Sequence, residues 1–187
     1  MKSKKAFSII EVVLVLAIVG LIFLMVFLII PAARRAQRNQ ERKNLLSTYY
    51  AAVQQYQANN HKKLPVNSTT GWDERFITHY IDDGCEEVRI SEAAIRCMSS
   101  TSDKFRDPDG ELYQFWNTSG FLTSGNMKYN RSNWPSKIGS EPNTHSILLI
   151  TENVCADVSD EVVYTGKRTD FSFMMLLEGS GVVCMSS

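Results

Sequence analysis

The longest uninterrupted apolar stretch of this chain lies near its start. Residues 12–30 are 19 consecutive positions without a charged or polar side chain. As an α-helix, a stretch of this length measures about 28 Å, close to the roughly 30 Å hydrocarbon thickness of a bilayer. The pattern therefore predicts a membrane helix rather than the core helix of a soluble protein.

A second helical segment is predicted over residues 32–60. Leu45, Tyr49, Val53 and Tyr56 recur at steps of three or four residues, which is typical of a helix with one buried face. We expect this face to pack against the rest of the chain. The polar side chains assigned to the opposite, solvent-facing side are Arg42, Lys43, Gln54, Gln55 and Gln57.

The remaining residues, 61–187, alternate between short apolar runs and turn-forming residues, which predicts strands. The predicted fold class is α+β, with a mostly antiparallel sheet that packs on the second half of the long helix. The pattern of residues 72–98 is ambiguous, and a short helix over residues 91–98 is one interpretation of it. Residues 117–144 are predicted as a long surface loop. The predicted strands are residues 112–116, 146–151, 161–165, 171–177 and 182–185.

Charge is distributed unevenly along the chain. Residues 1–43 carry 8 basic and 2 acidic side chains, although the whole chain is neutral with 20 of each. The rest of the chain is therefore acidic, and an acidic domain does not favour the phosphate backbone of a nucleic acid. The composition, 44% apolar and 10% aromatic, also excludes an overall disordered chain.

Motifs for catalysis are missing from the sequence. His61, His79 and His145 lie far apart, and no metalloprotease, phosphate-binding, serine-hydrolase or dinucleotide pattern appears. We expect no enzyme activity and no cofactor.

One acidic segment is a candidate for calcium. Asp107, Asp109 and Glu111 alternate along the chain, but an EF-hand loop would need glycine at its sixth position, where Leu112 stands. The order Asp-Pro-Asp-Gly is typical of a β-turn with proline at its second position. We therefore predict a turn here and no metal.

All four cysteines follow the apolar run. Cys85, Cys97, Cys155 and Cys184 form no C-x-x-C pair, so a zinc or redox motif is not indicated. An even number of cysteines in an exported domain predicts disulfides. Of the three possible connectivities, proximity along the chain favours Cys85–Cys97 with Cys155–Cys184, and free buried thiols are the alternative. Disulfides would place this part of the chain outside the cytoplasm.

The apolar run has three interpretations. It is a signal peptide cut near Ala32–Ala33, a plain single-pass anchor, or a membrane helix that later becomes the stem of an assembly. Glu11 favours the third interpretation. A carboxylate beside hydrocarbon is costly, so an acid at this position indicates a function. The alternative is that Glu11 lies at the headgroup boundary and costs little.

Residues 4–12, with the sequence Lys-Lys-Ala-Phe-Ser-Ile-Ile-Glu-Val, resemble the prepilin cleavage signature of type IV pilins and pseudopilins. The resemblance implies cleavage between Ala6 and Phe7 and N-methylation of Phe7. It makes Glu11 the fifth residue of the mature chain, where it would meet the new α-amine of a neighbouring subunit during assembly. The resulting division is a leader at 1–6, a transmembrane and assembly stem at 7–31, a second stem half at 32–60 and a globular head at 61–187.

The same resemblance implies a function and a set of partners. The chain would polymerise with itself into an extracellular type IV pilus, after a single-pass stage in the cytoplasmic membrane of a prokaryote. A prepilin peptidase, an assembly ATPase and a platform protein would act on it. The stem between Gly20 and Pro31 would lose helix on polymerisation. A minor pilin or type II secretion pseudopilin is the nearest alternative, and a membrane-anchored binding protein that does not polymerise is the alternative of another class.

Overall fold

The computed structural model describes residues 8–67, 71–73, 76–91, 94–97, 103–117, 125–129, 134, 145–157, 160–179 and 181–187. The chain forms two compact units, of which the first ends at Arg38 and the second begins at Asn39. One long apolar helix and a six-stranded sheet confirm the predicted α+β class.

Helix α1 comprises Ile9–Asn59. It continues through Gly20 and Pro31, the two positions at which helix stability is lowest. Every side chain from residue 9 to residue 30 is exposed. Among the described residues, α1 is the one helix long and apolar enough to cross a membrane.

The second unit contains the other elements. The helical ones are α2, Phe76–Tyr80, and one 3-10 turn, Asp103–Phe105. The strands are β1 Val66–Asn67, β2 Gly71–Trp72, β3 Glu87–Ser91, β4 Ala94–Cys97, β5 Gln114–Asn117, β6 Asn126–Lys128, β7 Ser146–Thr151, β8 Asn153–Cys155, β9 Glu161–Tyr164, β10 Phe171–Leu176 and β11 Val182–Ser186.

The main sheet has the strand order β11-β10-β7-β5-β4-β3. The sheet is mostly antiparallel, as predicted, with one exception: β5 and β7 run parallel, with Phe115 opposite Ile147. A parallel pair needs a long crossover, and residues 118–145 provide one between these two strands. The sheet is therefore mixed.

The interpretation of residues 91–98 as a short helix is wrong. Residues Ala94–Cys97 of this segment form β4, which pairs antiparallel with both β3 and β5. Its burial has the two-residue period of a strand, because Ile95 and Cys97 are buried while Arg96 between them is partly exposed. Within the predicted loop at 117–144, most of which lies outside the described residues, β6 is a strand and Trp134 is buried.

Strands β7 and β10 bury both of their faces. On β7, Ile147 and Leu149 belong to the core shared with α1, whereas Leu148 and Ile150 belong to a second core on the opposite face. The small sheet β6-β9-β8 contributes Val162 to that second core. This two-sided burial explains why β7 and β10 read as continuous apolar runs instead of alternating ones.

The core shared with α1 is rich in aromatic rings. Tyr49 of α1 contacts Phe115 of β5 edge-on, with ring centroids 4.9 Å apart, and Tyr50 contacts Phe171 of β10 at 5.3 Å. The Tyr49 hydroxyl donates to the carbonyl of Lys104. These contacts hold the helix residues after Asn39 on the sheet.

Both predicted disulfides are present. Cys85–Cys97 links the loop after α2 to β4, with Cα atoms 5.6 Å apart, and Cys155–Cys184 links β8 to β11, with Cα atoms 5.9 Å apart. The second bond joins the small sheet to the edge strand of the main sheet. In the chain-entropy model, a loop of this size contributes about 3–4 kcal/mol of stability.

Candidate functional site

The predicted processing site lies at the start of α1. Ala6 and Phe7 are outside the described residues. Glu11 is on the first turn of α1, where its Oε2 accepts a hydrogen bond from the backbone N–H of Ser8 at 3.4 Å. The carbonyl of Ser8 accepts from the N–H of Glu11 at 3.1 Å.

Ser8 and Glu11 therefore form one half of a capping box, in which the acid of the first turn bonds back to the N-cap amide. This contact was not predicted, although the sequence carries the signal for it, Ser followed three residues later by Glu. Because this role needs only a hydrogen-bond acceptor, the capping of α1 and the charge of Glu11 are separable by mutation.

The second candidate site is a buried ion pair in the second unit. Arg42 is 1% exposed, and its guanidinium makes two hydrogen bonds to one carboxylate, from Nε to Asp107 Oδ2 at 2.6 Å and from Nη2 to Asp107 Oδ1 at 2.5 Å. The hydroxyl of Tyr113 donates to the same Asp107 Oδ2 at 2.8 Å. Such bidentate, fully desolvated pairs have the geometry that arginine and carboxylate prefer.

Two further acids surround this pair. Asp109 Oδ2 lies 3.7 Å from Arg42 Nη2, and Glu178 Oε1 lies 3.6 Å from Arg42 Nη1. His145 Nε2 is 2.8 Å from Asp109 Oδ2. We call these six residues, Arg42, Asp107, Asp109, Tyr113, His145 and Glu178, the Arg42 cluster.

The Arg42 cluster joins two turns to α1. The first is the predicted Asp-Pro-Asp-Gly turn, which is present with a hydrogen bond from the N–H of Gly110 to the carbonyl of Asp107 at 2.7 Å. The second is the turn between β10 and β11, where the backbone of Glu178 exchanges two hydrogen bonds with the side chain of Asn39, at 2.9 and 3.3 Å. Together with His145, which precedes β7, the cluster therefore connects four separate segments of the chain.

The charged groups of the cluster shift the pKa values of their neighbours. Burial by itself lowers the pKa of Arg42, but the hydrogen bonds and charge of Asp107 outweigh burial and leave this pKa above its ordinary value. Burial acts to raise the pKa of Asp109, yet the hydrogen bond from His145 and the nearby charges bring it below the ordinary range. Both groups are held in their charged forms.

The calcium candidates have a different environment from the one considered in the sequence. Asp107 and Asp109 group with His145, with one ligand-type atom of each within 4.8 Å of the others, and Glu111 is not part of this group among the described residues. Instead, the backbone N–H of Glu111 donates to Asp109. The guanidinium of Arg42 already supplies the positive charge beside both aspartates.

Arg42 is the residue that the sequence interpretation placed wrongly, since it was assigned to the solvent-facing side of the helix. The buried residues of α1 are Arg42, Leu46, Tyr49, Ala52, Val53 and Tyr56. Arg42, Leu46, Tyr49, Val53 and Tyr56 are spaced by four, three, four and three residues, which is the period of one helix face. The spacing thus carried the signal, but an arginine is rarely expected inside a core.

Two grooves lie on the second unit, one beside the Arg42 cluster and one beyond the end of α1. One, of about 550 Å³, lies beside the Asp107–Gly110 turn and is lined by Glu41, Leu45 and Arg106 among others. The larger groove, of about 990 Å³, lies beyond the end of α1, and two carboxylates line it. Asp73 accepts a hydrogen bond from the Tyr56 hydroxyl at 2.8 Å, and Glu152 accepts one from the Tyr164 hydroxyl at 3.4 Å. Neither groove contains a nucleophile paired with a base among its lining residues.

Three buried tyrosines predict a loss of stability in alkali. Burial raises the pKa of Tyr49 and of Tyr113, and burial with the nearby carboxylate of Asp73 raises the pKa of Tyr56 to about 12. A raised folded-state pKa adds stability below the unfolded value of about 10, and that stability is lost as the pH rises further. We expect the unfolding free energy to fall above pH 10, by about 1.4 kcal/mol per pH unit for each tyrosine.

Thermal unfolding of the full chain in detergent, followed by circular dichroism between about pH 8 and 12, measures this effect. Tyrosinate absorbance gives an internal control, because the phenols of Tyr49 and Tyr113 will ionise in this range only when the chain unfolds. A melting temperature that stays constant across this range would contradict the prediction.

Comparison of the chain with protein-family models, with curated proteins and with solved structures finds no match. The function therefore has to be inferred from the residues and their arrangement.

Proposed function

We propose that this chain is a structural subunit of a type IV pilus. In this proposal it is inserted in the membrane by α1, cut between Ala6 and Phe7, methylated at Phe7 and polymerised through its apolar stem. One observation carries the proposal. A helix whose apolar side chains are exposed over the whole of residues 9–30 is preceded by a small residue and Phe7, and carries a single acid within that stretch, Glu11.

The exposed stem requires a partner outside the chain. Large apolar side chains face every direction around α1, including Leu16 at 65% exposure and Phe27 at 73%. A helix that is apolar all round is buried in lipid or among other helices. Each such side chain gains about 1.5–3 kcal/mol on leaving water, so the stem is stable in a membrane or in a bundle of identical stems.

Glu11 distinguishes these two environments. A plain membrane anchor uses this side chain only as a cap for the first turn of α1, a role that needs a hydrogen-bond acceptor and no charge. In a polymer, by contrast, the carboxylate would pair with the α-amine that cleavage creates at Phe7 of a neighbouring subunit. At about 4 Å and an effective dielectric constant of 20, that attraction is roughly 4 kcal/mol. Methylation of the amine preserves its charge.

The second unit supports an extracellular location. Its two disulfides are typical of proteins outside the cytoplasm. A prepilin peptidase, an assembly ATPase and a platform protein are the partners that this function requires. We further propose that the stem between Gly20 and Pro31 loses helix in the filament, since helix stability is lowest there.

Two other functions remain as alternatives. A minor pilin or type II secretion pseudopilin would share the cleavage motif and differ in abundance in fibres. A membrane-anchored binding protein would use α1 alone, which by its length and apolar character is sufficient for an anchor.

The N-terminus of the mature protein tests the proposal. We expect membrane-extracted protein to begin at Phe7 with one methyl group on its amine, and sheared surface fibres to contain the same species. Intact-mass and N-terminal peptide mass spectrometry measure both. A chain that keeps Met1, or is cut near Ala33, would contradict the proposal, and electron microscopy of the sheared material would separate an abundant fibre subunit from a minor one.

A further inference from the structure

The first unit carries two arginines directly beyond its apolar stem. Arg34 and Arg35 are both exposed, and neither side chain makes a hydrogen bond or ion pair with any residue that the structure describes. Arg38, one turn further on, is half-buried and has other interactions. Two adjacent guanidinium groups are therefore available to an anion from outside the described chain.

The position of this pair along α1 indicates where that anion lies. At 1.5 Å per residue, Arg34 and Arg35 are about 6–8 Å beyond Ile30, the last residue of the apolar run. The headgroup region on each side of a bilayer is roughly 5–8 Å deep. The Cα–Cβ bonds of a helix tilt towards its N-terminus, so both side chains extend back towards the stem.

We propose that Arg34 and Arg35 bind the phosphate groups of anionic phospholipids in the leaflet on the side of the second unit. This inference rests on the membrane-inserted stage of the proposed function. A guanidinium presents a planar set of donors that matches a phosphate, and a lipid phosphate lies at the depth that these two arginines reach. The contact would hold the stem at one depth in the bilayer before assembly.

The proposed processing step makes this contact more important. Cleavage after Ala6 removes Lys2, Lys4 and Lys5, so the basic residues that follow the apolar run are the ones that the mature stem retains. Each basic residue near an anionic membrane surface raises the affinity for that surface about five-fold, so the pair raises it about 25-fold.

The test uses the full chain in nanodiscs that contain equal amounts of phosphatidylglycerol and phosphatidylcholine. Native mass spectrometry of the released protein measures the ratio of the two lipid adducts. We expect phosphatidylglycerol adducts to exceed phosphatidylcholine adducts by about five-fold or more, and the Arg34→Gln/Arg35→Gln variant to lose this excess. The matched control, Lys62→Gln/Lys63→Gln, removes two exposed charges of the second unit and should keep it.

Several outcomes would overturn the inference. An excess that survives in the arginine variant would place the lipid preference elsewhere. Displacement of the lipid by soluble glycerol phosphate would identify a free-phosphate site instead.

Resistance of the protein to alkaline extraction from membranes separates this inference from the proposed function. A chain that is retained in the membrane without a lipid preference contradicts this inference alone, whereas a chain that is not retained contradicts the membrane stage of the proposed function and this inference with it.

Discussion

Replacement of Glu11 by alanine is expected to abolish filaments while leaving the chain in the membrane. Loss of about 4 kcal/mol from each contact between subunits corresponds to almost three orders of magnitude in the affinity of a subunit for the growing fibre. Membrane insertion does not weaken, because removal of a carboxylate makes the segment more apolar. Quantification of sheared fibres against membrane-bound protein measures both effects in the same cells.

Glutamine at the same position separates charge from helix capping. Glu11→Gln keeps an acceptor for the N–H of Ser8, and glutamine serves as well as glutamate at this place in a capping box. We therefore expect Glu11→Gln to be as defective as Glu11→Ala. Glu86→Ala, which removes an exposed acid of the second unit, is the control with normal fibres. Normal fibre yield in Glu11→Gln would show that the charge of this residue is not needed for assembly.

Replacement of Arg42 by methionine is expected to destabilise the second unit by about 3–5 kcal/mol, because the buried carboxylate of Asp107 loses its partner. Asp107 is 2% exposed, so water does not compensate for the lost guanidinium. This loss is a large part of the 5–15 kcal/mol that usually stabilises a domain. Chemical denaturation of the full chain in detergent, followed by tryptophan fluorescence, measures the change.

The adjacent residue provides a matched control. Lys43 is exposed on the same helix, and Lys43→Met should change the unfolding free energy by less than about 0.5 kcal/mol. Adding Asp107→Asn to Arg42→Met should restore part of the lost stability, since a neutral amide costs less to bury than an unpaired carboxylate. An Arg42→Met protein as stable as the Lys43→Met protein would show that the ion pair contributes little.

The Arg42 cluster also shows why a calcium site was a reasonable candidate from the sequence. Asp107 and Asp109 do converge, as ligands of a cation must, and the turn that brings them together was predicted from the Asp-Pro-Asp-Gly order. The cation beside them, however, is the guanidinium of Arg42, which is 65 residues away along the chain. The spacing of residues within one short segment cannot predict a partner so far away along the chain.

The features that could be read from the sequence depend on short-range physics. A run of 19 apolar residues has to be covered by lipid or protein, and its length sets a helix that spans a bilayer. The motif around Phe7 and Glu11 is contained in a few neighbouring positions. The strands β7, β10 and β11 were recognisable because apolar, β-branched and aromatic residues cluster between turn-forming residues.

The remaining features depend on contacts between distant segments. The parallel pairing of β5 with β7, the strand at β4 and the burial of Arg42 are each decided by what packs against the segment, since local preferences are weak and tertiary context overrides them. Arg42 is inside because Asp107 and Glu178 arrive from two other turns to compensate its charge, and Tyr113 donates a further hydrogen bond to Asp107. Burial of a charge is favourable only when its partners are present, and their arrival is a property of the folded chain alone.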